Sequence, residues 1–439
     1  MRIFVWILCV ISCSLPTYAQ EEVKFPSHKS KVTIPFELIN NLIVVPLKIN
    51  GAELNFLLDT GIEETILFSL DEQKEINFNN VEKIKLRGLG NQESTIGLRS
   101  KNNIINIGEL EFKNQEILII IDENMDFASS LGIAVNGILG YHFFKNNLVK
   151  INYERKKLYI YNRYRTDIEK VVKNFKSFPI SIERNKPYVQ SKITIDNEVI
   201  DAKLLVDTGN SDAIWLFHDK SDKLKIPEKY LYEFLGRGFS GEIFGKKARI
   251  SHFAIDEFQF KNPIVSFPDT TSTRNVKMVE KRLGSVGGEL FKRFILVFDY
   301  KNSLLYAKKN GSFNLPFNYN KSGIELHHAG LRLVKQEVYR NNEDNLIKID
   351  LGEKKYNLEY KFELKPSYHI ASIRKDSPAE KSGLKKGDVM ISINGNYCHH
   401  HSLQEINNIL RSKEGKLLNI QIERENKPMN FKLKLQNLL

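Results

Sequence analysis

Cysteine is nearly absent from the 439-residue chain: three occur, and two of them, Cys9 and Cys13, fall within the first thirteen residues. Loss of a leader beyond them would leave Cys398 alone, which excludes an internal disulfide and leaves stability to core burial. Long apolar runs are missing too. After the first fifteen residues, none approaches the roughly 18 needed for a membrane helix, so the rest of the chain is not expected to cross a bilayer in that form. Gly and Pro, at 25 and 13 residues, show no enrichment of the collagen or low-complexity kind, and 41% hydrophobic against 27% charged residues excludes disorder. Charge is not gathered either: 65 Lys+Arg against 53 Asp+Glu gives +12, but the basic residues are dispersed. No finger, helix-turn-helix or aromatic RNA-reading motif accompanies them, so nucleic acid is not an expected partner. A basic, solvated surface suits anionic envelope surroundings.

What is present begins with a leader. Arg2, an apolar run from Ile3 to Ile11, a breaker at Pro16 and the small-residue exit Thr17-Tyr18-Ala19 read as a secretory signal spanning residues 1–19, with cleavage after Ala19. The expected destination is the periplasm, the cell envelope or the medium. The alternative is that Val10-Ile11-Ser12-Cys13 acts as a lipoprotein box, leaving Cys13 lipidated; only then is a membrane a partner.

The middle of the chain is an internal repeat. Leu57-Leu58-Asp59-Thr60-Gly61 recurs as Leu205-Val206-Asp207-Thr208-Gly209 at an offset of 148 residues. Gly137-Ile138-Leu139-Gly140 recurs as Gly284-Ser285-Val286-Gly287, and Ile151-Asn152-Tyr153 as Phe298-Asp299-Tyr300, both at 147. Constant spacing of three landmarks means two copies of one domain, expected over residues 30–162 and 178–309, with a polar linker or helix at 163–177 between them. Alternating runs at 42–49, 103–107, 116–121, 192–195 and 295–300, broken by Asn, Gly and Asp turns, make both copies β-rich. Helical patterning is sparse.

One Asp-Thr-Gly is most simply an Asp at a turn with Gly supplying backbone freedom. Two in register, each between apolar strands (Ile66-Leu67-Phe68 and Ile214-Trp215-Leu216 follow them), suggest that each repeat delivers a carboxylate to a central loop. Two carboxylates in contact cannot both ionise easily and share one proton, the neutral one acting as acid and the charged one as base toward a water between them. That chemistry hydrolyses amides with no nucleophilic side chain and calls for no cofactor or metal.

At these residues the sequence resembles the retropepsin-like aspartic peptidases, with both lobes fused in one chain over roughly residues 34–309. The resemblance implies a catalytic dyad of Asp59 and Asp207, Thr60 and Thr208 bonding across to the opposite lobe, and Gly61 and Gly209 shaping the loops. The family's second signature, two apolar residues then Gly, matches Ile138-Leu139-Gly140; at Ser285-Val286-Gly287 the match is weakened by polar Ser285. Glycine-rich segments about thirty residues after each triplet sit where the family carries substrate-covering flaps: Gly88, Leu89 and Gly90 in the first lobe, Gly238, Phe239 and Ser240 in the second. Glu63 and Ser211 are expected nearest bound peptide backbone. Ile62 and Asn210 stand where pepsin-like acid peptidases place a hydroxyl residue.

After a connector at 310–323, Ser377-Pro378-Ala379, Gly383-Leu384-Lys385-Lys386-Gly387-Asp388 and Ile393-Asn394-Gly395 resemble a PDZ domain of bacterial envelope proteases, expected at 324–439. Ser402 and Glu405 form a capping box for a helix with Leu403, Ile406 and Leu410 on one face. Such modules hold an extended peptide between a strand and that helix. The usual Gly-containing carboxylate loop is not evident before His369, where Leu364-Lys365-Pro366-Ser367 stands. Cys398-His399-His400-His401 is not expected to hold a metal, because three consecutive His cannot all face one ion.

The expected fold is therefore mainly β: two retropepsin-like lobes in a bilobal acid-peptidase arrangement, followed by an α+β PDZ domain. The expected function is that of an exported aspartic endopeptidase, a monomer whose lobes pair within the chain, acting on peptide or protein substrates and with a peptide as PDZ ligand. The alternative is a non-catalytic envelope scaffold using the same groove, for which loss of Asp or Gly from a triplet would be the mark; both triplets are intact.

Overall fold

The computed structural model describes residues 23–69, 75–86, 95–120, 131–238, 241–274, 276–340 and 357–439. It is mainly β, as the alternating runs require, and the strands gather into four sheets. One sheet belongs to the first repeat, one to the second, one joins them and one is C-terminal.

The two repeats share a common core order. In the first, Thr65–Leu67, Gly137–Leu139, Ala52–Leu58 and Leu42–Ile49 lie side by side; in the second, Ile214–Leu216, Arg282–Val286, Glu198–Val206 and Lys186–Ile195 do so. In each, the strand leading into the Asp triplet runs parallel to the second-signature strand, Leu58 opposite Leu139 and Val206 opposite Val286. Parallel neighbours in the middle of a sheet are covered on both faces and read as unbroken apolar runs. That is why Phe56, Leu57 and Leu58, like Leu204, Leu205 and Val206, are all buried.

The joining sheet runs Lys176–Pro179, Leu304–Lys309, Phe294–Asp299, Leu148–Asn152, Lys157–Tyr161, Lys31–Pro35. At its centre Lys150 stands opposite Val297. These are equivalent residues at the repeat offset of 147, so the pseudo-two-fold axis passes between them. One continuous hydrophobic cluster runs through both lobes and this sheet, from Val32 and Phe56 to Phe298 and Leu305. The linker holds one short helix, Ile168–Val172, whose N-cap Asp167 accepts from the Lys170 amide, and just before it Arg163 bonds to buried Asp299.

The C-terminal module has its own core around Ile370, Leu384, Ile406 and Ile420. Its helix Leu403–Leu410 starts with the expected capping box of Ser402 and Glu405, and Leu403, Ile406 and Leu410 are buried. Cys398 is buried in the same core. The strand at the sheet edge is Ile324–Arg340, with Asn357–Ile373 one place further in, and the helix packs against the edge strand. The groove strand is thus led by Asn320–Gly323 and not by the residues before His369, which corrects the expected position of the carboxylate loop. The module touches both lobes: Gln404 accepts from the Asn40 amide of the first at 2.5 Å, and Arg374 pairs with Glu233 of the second at 2.8 Å.

Candidate active site

Each triplet follows directly on a buried strand, so the backbone carries its Asp to the interface between lobes. The Asp59 amide donates to Leu139 O (3.0 Å) and the Asp207 amide to Val286 O (2.9 Å), which fixes both loops on the second-signature strands. The Gly after each Asp-Thr donates back to its own carboxylate: Gly61 N to Asp59 Oδ1 at 2.6 Å and Gly209 N to Asp207 Oδ1 at 3.1 Å. The two loops are then locked by a reciprocal exchange. Thr60 Oγ1 donates to Val206 O (2.5 Å) and accepts from Thr208 N (3.0 Å); Thr208 Oγ1 donates to Leu58 O (2.7 Å) and accepts from Thr60 N (3.0 Å). Both hydroxyls are fully buried, and every donor and acceptor in the square is satisfied across the lobe boundary.

Glycine is required here by close approach. A Cβ on Gly209 would lie 2.3 Å from the Asp59 carboxyl carbon, and one on Gly61 would lie 2.8 Å from Asp207 Oδ1. Gly140 and Gly287 serve the same end one layer below, where a Cβ would meet Glu64 O at 2.5 Å and Asn210 O at 2.4 Å. The polar Ser285 that weakened the second signature has a partner: Asn210 Nδ2 donates to its Oγ at 3.1 Å. Asn210 is thereby turned away from the dyad.

Asp59 and Asp207 hydrogen-bond to one another, and both are held above the usual carboxylate range. For Asp59 the causes are burial first and the Asp207 charge second, opposed by the Gly61 amide. Burial also raises Asp207, but there Arg282 and Lys186 pull the other way by favouring its anion. Both cations come from the second lobe. Arg282 is buried beneath the cleft, donates from Nε to Gly284 O at 3.0 Å and lies over the Phe217 ring.

The carboxylates open on a cavity of about 1310 Å³ lined by both lobes. Glu63 and Ser211 line it as expected, but each is also braced by a hairpin of the opposite lobe. Asn185 Nδ2 donates to Glu63 Oε1 (2.5 Å), and Asn41 Nδ2 donates to Ser211 O (2.9 Å) and Glu289 Oε2 (3.0 Å). Asn41 and Asn185 occupy equivalent hairpin tips with left-handed backbones, φ 67° and 59°. The sequence reading missed them, along with Lys186 and Arg282; recurrence of a two-residue Asn-containing turn before each triplet was the available signal. The second-lobe flap strand Tyr230–Gly238 lines the cavity along its length and pairs with Gly241–Arg249, Gly238 opposite Gly241. Phe239 and Ser240, and Gly88, Leu89 and Gly90 of the first flap, lie outside the described residues.

Residues 45–143 match the family model described as aspartyl protease, and residues 369–424 match that of the PDZ domain. The chain carries an aspartyl protease domain and a PDZ domain. Asp59 falls within the first match; Asp207 lies outside both, so its pairing with Asp59 rests on the geometry above. A search of the curated proteins finds no match. Among solved structures, the crystal structure of an aspartic proteinase from Irpex lacteus is similar at 13% identity, covering 65% of this chain and 99% of that one with a TM-score of 0.42.

Proposed function

We propose that the chain is an exported aspartic endopeptidase in which Asp59 and Asp207 share one proton and activate a water for attack on a peptide bond. The observation that carries this reading is the pair of buried, mutually hydrogen-bonded carboxylates at the floor of a peptide-sized cleft. The unequal surroundings assign roles. With Arg282 and Lys186 favouring the Asp207 anion, Asp59 keeps the proton at rest and Asp207 is the base.

Asp207 takes a proton from water as the hydroxide oxygen bonds to the carbonyl carbon, while Asp59 gives its proton to the carbonyl oxygen. Asp207 then protonates the departing amide nitrogen, Asp59 recovers a proton from the diol, and the C–N bond breaks. Peptide or protein is the substrate, and one chain supplies both carboxylates, which supports a monomer. The leader at 1–19 supports export to the periplasm or envelope.

Digestion of a proteome-derived peptide library tests the reading. Cleavage by the wild-type chain and none by Asp59→Asn or Asp207→Asn is expected, and full activity in either variant would remove the dyad. Ile62 and the turned-away Asn210 leave the carboxylates with few donors, so the pH–rate profile should peak in the mildly acidic range. A maximum below about 3, under the reference Asp value near 3.9, would contradict it.

A further inference from the structure

A file of charges, unused in the mechanism above, connects the C-terminal module to the active-site loop. Arg374 of the PDZ domain donates through Nη1 to Glu233 Oε2 at 2.8 Å, and Glu233 is on the flap strand of the second lobe. Lys247, on the other strand of that flap, bridges Glu233 (3.2 Å) and Asp212 (3.1 Å). Asp212 stands five residues beyond Asp207; its Oδ2 accepts from Trp215 Nε1 (2.9 Å) and Ser266 Oγ (2.7 Å). These side chains are 4%, 17%, 16% and 19% exposed in the order Arg374, Glu233, Lys247, Asp212, so solvent screens them poorly. Burial opposes ionisation of Asp212, yet Lys247 and the two hydrogen bonds outweigh it and hold the carboxyl below its usual value.

The PDZ end of the file is anchored to the groove. Arg374 donates from its amide to Gly323 O (2.9 Å) and from Nη1 to Asn320 O (3.1 Å), the turn that opens the edge strand. Arg374 Nε and Nη2 are buried with no acceptor among the described residues. A buried guanidinium left partly unsatisfied costs stability, so apolar packing would serve a purely structural contact better. Phe234 of the flap also meets His327 of the edge strand edge-to-face at 6.4 Å.

We infer that Arg374 is a positioning residue of the peptidase: through Glu233, Lys247 and Asp212 the PDZ domain holds the second-lobe flap over the cleft. This rests on the endopeptidase reading only for its kinetic consequence. The flap strand has a sheet neighbour on one side alone, so its height above the dyad depends on what grips its free side. The PDZ domain grips that side with a directional ion pair.

The test is hydrogen exchange by mass spectrometry on the full chain, with steady-state kinetics on a peptide taken from the library digestion. In Arg374→Met, residues 230–249 should exchange at least about tenfold faster, while the PDZ core strand at 417–424 stays as protected as in wild type. KM should rise about tenfold with kcat changed less than about twofold, because a loosened flap weakens substrate binding more than it disturbs the dyad. Glu233→Gln should reproduce both effects. The double variant should be no worse than either single one, since both remove one interaction, and Arg374→Lys should restore part of the loss.

Unchanged flap exchange in Arg374→Met, or fully additive losses in the double variant, would overturn the inference. If Arg374→Met also deprotects 417–424, Glu233→Gln decides: a protected flap there overturns it and a deprotected one supports it. Should the wild-type chain cleave nothing, the endopeptidase reading falls, while the exchange result still decides whether the flap is held.

Discussion

The dyad sets a stability cost whose pH dependence has a definite sign. Folding raises the carboxyl pKa values of Asp59 and Asp207, so the folded chain binds protons more tightly than the unfolded one. The penalty is absent below the unfolded value near 3.9, grows as pH rises toward the raised folded values, and is fully present above them. Asp59→Asn removes the group that titrates and should raise the melting temperature at pH 7, with the gain shrinking to nothing near pH 3.5. A gain that persists there would mean the carboxyl is not strained by burial. Asp59, Asp207 and their threonines were legible in the sequence because a triplet repeated in register, each time between apolar strands, puts two carboxylates at equivalent places in two lobes. Asn41 and Asn185 were not: each bonds to a residue more than a hundred positions away, and nothing local distinguishes them from ordinary turn asparagines. Arg374 was hidden for the same reason, since its partner Glu233 is 141 residues distant.

Among the elements, the two hairpin tips that cross the lobe boundary make different contributions. Asn185 makes one bond to the opposite lobe, whereas Asn41 bonds to Ser211 and Glu289 and accepts from Lys292 Nζ at 3.1 Å. Both have left-handed backbones, so replacement by Gly removes the side chain without adding strain. Asn41→Gly should cost about 2 kcal/mol and Asn185→Gly about 1 kcal/mol in urea unfolding; equal losses would show that the tips are held by backbone alone. Strands were readable from alternation, and the run expected at 192–195 proved to be the second half of Lys186–Ile195. What alternation does not contain is which strand ends a sheet. The PDZ groove was sought before His369 because the strongest motif begins there, yet the edge position belongs to Ile324–Arg340.

For the whole molecule, the question is whether both carboxylates come from one chain. Tethering by the short linker favours intrachain pairing, because the effective concentration of the second lobe far exceeds that of another molecule. Mixtures of Asp59→Asn and Asp207→Asn, unfolded and refolded together, should therefore recover no peptidase activity. Recovery of a substantial fraction would reveal exchange of lobes between chains. The bilobal plan was legible because the offset stays constant over three landmarks, whereas the seating of the PDZ domain on both lobes was not. It depends on single side chains such as Gln404 and Arg374 that carry no periodic signal.

The central pairing of Leu148–Asn152 with Phe294–Asp299 governs the order in which the chain can mature. During synthesis the first lobe is complete some 140 residues before its partner strand exists, and until then one side of the 148–152 strand offers unpaired amides and carbonyls. Such an edge accepts any complementary strand, and the nearest complement in a crowded translocation path is the same strand of a sister chain, because equivalent residues already face each other across the pseudo-two-fold. The maturing polypeptide thus passes through an interval in which it can form a symmetric half-enzyme pair, and it leaves that interval only when its own second half arrives. Slow closure of a contact so distant along the chain makes this the stage at which a holding chaperone would matter most.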